Sequence, residues 1–356
     1  MYPTRFIFQN RVQRYCFFCK YARGNVKNTK KGWLIFANLE NLLYLCSRKG
    51  LNEMRIAFTT QLPKEGFRRL WDKGYRLSVI GDRDFSDAEI LVSTFDYKVS
   101  RQMIEAMPNL RLIANFGAGY NNIDLEACRE RGIRATNTPQ PVVEPTAELA
   151  FALMIDVARR VSEFDRKVRA GKATFGVMRN LSHSLYGKTL GIIGMGRIGQ
   201  ALARRALASG MHVIYHNRRE LKVDYAQYVD LQTLLQDSDF VSLNLPYTPE
   251  VHHLIGKPEL GMMKRSAYLI NTARGAHVDE AALVEALKSG IIAGAALDVY
   301  EHEPAIHPEL LKLDNVVLSP HTGTGTWEGR IAMCENVTDN ILAFVENRPK
   351  DMNIVN

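Results

Sequence analysis

Cysteine is scarce in this chain, with five in 356 residues. Cys16, Cys19 and Cys46 fall in the first 53 residues, which leaves Cys128 and Cys334 far apart in everything that follows. Such a pair makes no disulfide framework and suits a reducing compartment, so a cytoplasmic protein is expected. Cys16 and Cys19 form a CxxC, yet a closed zinc site needs four ligands. The first 53 residues hold no histidine and only one further cysteine, so no metal centre is expected. No run of 18 consecutive apolar residues occurs, which argues against a membrane-spanning helix. Surplus charge is also missing from most of the chain. The net charge of +8 lies wholly in residues 1–53, which carry ten Lys/Arg and two Asp/Glu. The remainder carries 36 of each sign, so no basic field exists there to attract nucleic acid.

The first 53 residues fit no targeting pattern. A basic start is not followed by an apolar core with a small-residue cleavage site, and the segment is too poor in serine for a transit peptide. An extension outside the fold is expected, with Met54 as the effective beginning.

From Met54 onward, short β-branched runs alternate with amphipathic stretches, the pattern of parallel sheets flanked by helices. Arg55–Phe58, Arg76–Ile80, Ile90–Ser93, Leu112–Asn115 and Arg134–Asn137 read as a first set of strands. A long buried helix is expected over Thr146–Arg160, just after Pro145. A second set of strands follows at Thr189–Ile193, His212–His216, Phe240–Leu243, Ala267–Ile270, Ala293–Leu297 and Val316–Leu318. A last helix, Trp327–Glu346, leaves a tail too short for another domain but able to pack back on the first. The fold class is therefore α/β, with two doubly wound parallel-sheet domains.

The strongest local signal is Gly194-Met-Gly196-Arg-Ile-Gly199, directly after an apolar strand and at the start of a helix. In that setting Gly194 permits the tight turn, Gly196 lets the backbone approach a pyrophosphate, and Gly199 lets helix and strand pack closely. The helix N-terminus adds unpaired N–H groups and partial positive charge for the phosphates. About twenty residues on, an acid normally holds the adenosine ribose; here Asn217 is followed by Arg218 and Arg219. A carboxylate would repel a 2′-phosphate and guanidiniums bind one, so NADP is the expected cofactor, with NAD the alternative if the arginines merely face solvent.

Three ionisable residues stand near strand ends, where open α/β sheets build their sites: Arg274, Glu303 and His321. Arg274 can hold a carboxylate bidentately and polarise the adjacent carbonyl. His321 can donate a proton to that oxygen as hydride reaches carbon, and Glu303 can orient the imidazole and favour its protonated form.

In order and spacing, Gly194–Gly199, Arg274, Glu303 and His321 resemble the D-isomer-specific 2-hydroxyacid dehydrogenase family across residues 54–350. Within the family, Asn217-Arg218-Arg219 is similar to the NADPH-preferring glyoxylate/hydroxypyruvate reductases. The resemblance implies a flavodoxin-like substrate domain, residues 54–150 plus 327–356, with a Rossmann dinucleotide-binding domain, residues 151–326, inserted into it. It implies that Asn115–Asp124 is a substrate loop in which N–H groups near Ala118 and Gly119 receive the carboxylate. Thr146, Arg197, Ile198 and Leu245 match positions that line the dinucleotide, as do Pro246, Thr272, Asp298 and Gly323. A homodimer held largely through the inserted domain is also implied. The chain departs from the family at Lys172–Phe175, where many members carry a tryptophan, and its C-terminus is short for the regulatory domain of many phosphoglycerate dehydrogenases. The expected reaction is hydride transfer between a nicotinamide dinucleotide and a small 2-keto or 2-hydroxy acid. The rival readings are a non-catalytic dinucleotide-sensing corepressor of the same fold, or a phosphoglycerate, phosphite or formate dehydrogenase.

Overall fold

Short runs of Val, Ile, Leu and Ala bounded by turn residues form strands buried on both faces, because helices cover each side of a parallel sheet. The computed structural model describes residues 54–80 and 85–356. The CxxC and the rest of the first 53 residues lie outside the described residues. Met54–Asn356 is one compact unit containing two sheets.

The first sheet comprises β1 (Arg55–Phe58), β2 (Arg76–Val79), β3 (Ile90–Thr94), β4 (Leu112–Phe116) and β5 (Arg134–Thr136). All its pairs are parallel and the order is β2-β1-β3-β4-β5, the flavodoxin-like arrangement. Helices α1 (Arg68–Asp72), α2 (Arg101–Glu105) and α3 (Leu125–Glu130) lie in its connections. The Asp124 side chain caps α3 by accepting from the Ala127 N–H at 2.9 Å.

Helix α4 (Val143–Arg159) begins three residues before the expected start at Thr146. Pro145 sits inside its first turn, where the missing N–H has no helical partner in any case, so the proline does not mark the boundary. From Ala147 onward its buried face packs with the core of the second sheet. Arg160, left-handed at φ 59, ends α4 and leads into α5 (Val161–Arg169).

The second sheet contains β6 (Thr189–Ile193), β7 (His212–His216), β8 (Gln227–Tyr228), β9 (Phe240–Leu243), β10 (Tyr268–Asn271), β11 (Gly294–Leu297) and β12 (Val316–Leu318). Its order is β12-β11-β10-β9-β6-β7-β8, again all parallel. Two-residue β8 has no counterpart among the expected strands. Helices α6 (Arg197–Ala208), α7 (Leu231–Asp237), α8 (Lys257–Met262) and α9 (Glu280–Lys288) complete this Rossmann arrangement. The order reverses between β6 and β9, which opens a crevice above the strand C-termini.

Helix α10 (Trp327–Val345) returns to the first sheet, burying Met333, Cys334, Val337 and Ile341 with Ile56, Phe58, Leu112 and Phe116. The tail follows it, with Ile354 bridging antiparallel to Thr136. Among the described residues, no helix is long and apolar enough to cross a membrane.

Candidate active site

Strand β6 runs into its glycine turn because only glycine tolerates the geometry there. Gly194 has φ 97, and a Cβ on it would lie 2.7 Å from the Asn244 carbonyl oxygen. Gly199 has no room for a Cβ against the Gly194 carbonyl, so α6 can approach β6 closely. Gly196 differs: a Cβ there would meet nothing within 4 Å. Open space at that position, beside the N-terminus of α6, is what a backbone approach to a pyrophosphate requires. Thr272 adds a second sign of fit, since it lines the crevice and its buried hydroxyl oxygen has no hydrogen-bond partner among the described residues.

At the end of β7, the Asn217 side-chain Oδ1 accepts from the Met195 N–H at 2.7 Å and holds the glycine turn. Its amide nitrogen makes no hydrogen bond within the described residues. The two following arginines part company: both are exposed, but Arg218 lines the crevice and Arg219 does not.

The crevice has a volume of about 680 Å³ and joins the two sheets' C-terminal edges. Ala118, Gly119, Arg274 and His321 share it with Thr146, Arg197, Ile198, Leu245, Pro246, Asp298 and Gly323. The loop after β4 has its carbonyls tied back by side-chain amides. The Asn115 amide donates to the Gly119 carbonyl at 2.8 Å, and the Asn137 amide donates to the Ala118 carbonyl at 2.8 Å. Asn115 is itself held by the Ser93 hydroxyl at 3.0 Å. Among the described residues the N–H groups of Ala118 and Gly119 have no partner, the state a carboxylate would satisfy.

The Arg274 guanidinium packs directly on this loop, leaving no room for a side chain at Gly119. Its Nη1 donates to the Ala273 carbonyl at 2.6 Å. Burial lowers the Arg274 pKa, with the Glu303 charge opposing the shift. A poorly hydrated guanidinium beside free N–H groups is a strong carboxylate receptor.

Glu303 lies behind His321, outside the crevice lining. Its Oε2 is 2.7 Å from His321 Nδ1, and its Oε1 accepts from the Tyr300 N–H at 3.0 Å. Burial pushes the Glu303 pKa upward, but the hydrogen bonds from His321 and Tyr300 and the nearby positive charges win, and the net shift is down. The carboxylate therefore stays ionised at neutral pH and holds Nδ1, which leaves Nε2 for chemistry. His321 is left-handed at φ 53, and its N–H donates to the Asp298 carbonyl at 2.8 Å. The Asp298 carboxylate fastens the next turn by accepting from Thr322 N–H at 2.7 Å and Gly323 N–H at 2.8 Å.

Sequence reasoning missed Phe95, whose ring lies 4.3 Å from the His321 ring and covers one wall of the crevice. It also missed Asn137 and Ser93, which position the loop. An aromatic just after β3 carries no signal of its own, and polar residues at buried strand ends were the available clue.

Two parallel-sheet domains, a glycine-rich turn into a helix, and an Arg and a His at one crevice with a Glu behind the His define a nicotinamide-dependent oxidoreductase. The chain belongs to the D-isomer specific 2-hydroxyacid dehydrogenase family. Residues 151–323 match that family's NAD binding domain. A glyoxylate reductase of Thermococcus litoralis is 45% identical over 311 residues, covering 82% of this chain and 94% of that one. Among solved structures, an NADPH-dependent glyoxylate/hydroxypyruvate reductase from Sinorhizobium meliloti, in complex with NADP and malonate, is 32% identical with a TM-score of 0.75. It covers 83% of this chain and 94% of that one. A D-lactate dehydrogenase from Aquifex aeolicus complexed with NAD and lactic acid is 29% identical with a TM-score of 0.76, covering 85% and 98%.

Proposed function

We propose that this chain is an NADPH-preferring reductase of glyoxylate or hydroxypyruvate. The observation that carries the reading is the pairing, in one crevice, of Arg274 against the N–H groups of Ala118 and Gly119 with His321 fixed by Glu303 at 2.7 Å. The substrate carboxylate is held by Arg274 and the two N–H groups, and Arg274 polarises the adjacent carbonyl. His321 donates its Nε2 proton to the carbonyl oxygen and takes it back in the reverse reaction, with Glu303 balancing the imidazolium charge. The bound nicotinamide supplies or accepts the hydride. Residues 54–150 with 327–356 serve as the substrate domain and residues 151–326 as the dinucleotide domain.

Phe95 against His321 narrows the pocket, which favours a short substrate side chain. NADPH preference rests on Arg218 at the crevice edge and on an amide, not a carboxylate, at Asn217. A homodimer is supported by large apolar side chains concentrated on one segment, among them Phe175 at 89%, Val177 at 94% and Met178 at 77% exposed. The two described cysteines are buried and free, in keeping with a cytoplasmic setting. The deciding experiment is kcat/KM for glyoxylate, hydroxypyruvate, pyruvate and larger 2-keto acids with NADPH and NADH. Turnover confined to the larger acids would overturn the substrate assignment, and no turnover with any would favour a sensing role.

A further inference from the structure

A second cluster of potential ligands lies outside the Arg274, Glu303 and His321 set. It begins at a 3-10 turn, Pro249–Val251, which delivers two consecutive histidines. Neighbouring residues in extended backbone send their side chains to opposite sides. His253 breaks that rule with φ 49, and the His252 and His253 rings stack with centroids 3.9 Å apart and planes 20° from parallel. Histidine enters the left-handed region more readily than most side chains, and non-glycine residues held there recur at functional positions.

Those surroundings are specific. The His253 N–H donates to the Ala276 carbonyl at 2.8 Å, and its Nε2 lies 2.6 Å from Glu301 Oε1. Glu301 is anchored in turn: its N–H donates to Glu280 Oε1 at 2.7 Å, and its Oε2 accepts from the Glu280 N–H at 3.4 Å. On the other side, the Tyr247 hydroxyl lies 3.3 Å from His252 Nδ1. One nitrogen from each histidine and one Glu301 oxygen thus come within 4.8 Å of one another.

We propose that His252, His253 and Glu301 bind one divalent transition-metal ion of the zinc class, with water completing the coordination. Two imidazoles and a carboxylate suit Zn²⁺, Co²⁺ or Ni²⁺; Mg²⁺ and Ca²⁺ prefer oxygen ligands throughout. Bonds of about 2.0–2.1 Å in a tetrahedral site place ligand atoms roughly 3.3 Å apart. The His253–Glu301 contact must therefore open by less than about 1 Å, within the reach of side-chain rotation. The Tyr247 hydroxyl and the Glu280 N–H are the outer contacts that orient such ligands. Tyr247 also lines the crevice, so the ion would sit at its margin.

The test uses the full chain with Cys16, Cys19 and Cys46 changed to Ser, so that thiolates do not take the metal. Titration calorimetry with Zn²⁺ alone should show one site per chain, displaced by Co²⁺ or Ni²⁺ but not by Mg²⁺. His252→Ala and Glu301→Gln should each weaken binding by about tenfold or more. His252 is exposed, so its variant decides the matter even if the Glu301 variant folds poorly. Failure of the parent chain to bind Zn²⁺, or equally tight binding by His252→Ala, would overturn the proposal.

Discussion

At the scale of single residues, the chemistry depends on which side of a group is occupied. Glu303 holds Nδ1 of His321, so in the proposed reaction the proton to be moved is on the other nitrogen. His321→Gln should lower kcat by about 10²–10⁴-fold. The Glu303 pKa is shifted below the ordinary value of 4.5, so its carboxylate is present above that region and lost as pH falls through the lowered value. The acid limb of kcat/KM due to Glu303 should therefore lie below pH 4.5. Glu303→Gln should abolish that limb and cut kcat more than KM; an unchanged profile would remove Glu303 from the mechanism. At Asn217 the side-chain Oδ1 is occupied by the Met195 N–H. Asn217→Asp keeps that contact and adds a second, negative oxygen at the ribose position. Combined with Arg218→Ala, it should move preference toward NADH by about ten- to several hundred-fold in kcat/KM, since each charge-assisted bond contributes about 1.5–3 kcal/mol. A parent enzyme already favouring NADH would show that Arg218 does not reach the 2′-phosphate.

At the scale of elements, the turn after β10 carries both a functional and a burdensome residue. Three residues past Arg274, His277 is fully buried and neither ring nitrogen forms a well-aligned hydrogen bond. Burial lowers its pKa to about 4, with the Arg274 charge acting in the same direction, against a weaker upward pull from the Pro246 and Arg274 carbonyls. The unfolded chain takes up a proton at His277 near pH 6.5, and the folded chain refuses it until about 4. Stability from this group is thus complete above pH 6.5 and is lost as pH falls toward 4, by an amount on the order of 3 kcal/mol. His277→Leu should shrink the drop in Tm between neutral and mildly acidic pH by a few degrees. An equal drop in both proteins would show that the turn opens to solvate the ring.

At the scale of the whole molecule, one crevice serves two sheets because the chain leaves the first sheet after β5 and returns to it with α10. A chain beginning at Met54 should melt cooperatively and keep full activity; loss of either would place residues 1–53 within the functional structure. The apolar segment around Phe175 and Val177 should hold two copies together. Phe175→Asp with Val177→Asp should shift sedimentation equilibrium toward monomer, and an unchanged mass would reject that surface.

Periodicity and spacing carried much of this in the sequence alone. Both parallel sheets were legible because strands buried on both faces must be apolar throughout, and the glycine turn because two of its three positions exclude a side chain. Arg274, Glu303 and His321 stood out because each is a charged or titratable group at a strand end, where a buried sheet has no structural need for one. What the sequence did not determine is direction. Arg218 and Arg219 are the same residue type in adjacent positions, both exposed, and only the folded chain puts Arg218 at the crevice and leaves Arg219 off its lining. The free N–H groups of Ala118 and Gly119 exist because Asn115 and Asn137, 22 residues apart in sequence, tie the loop's carbonyls back. The pairing of His253 with Glu301 spans 48 residues. Such contacts join chain segments whose proximity follows from packing and strand order, so no local pattern of residues encodes them.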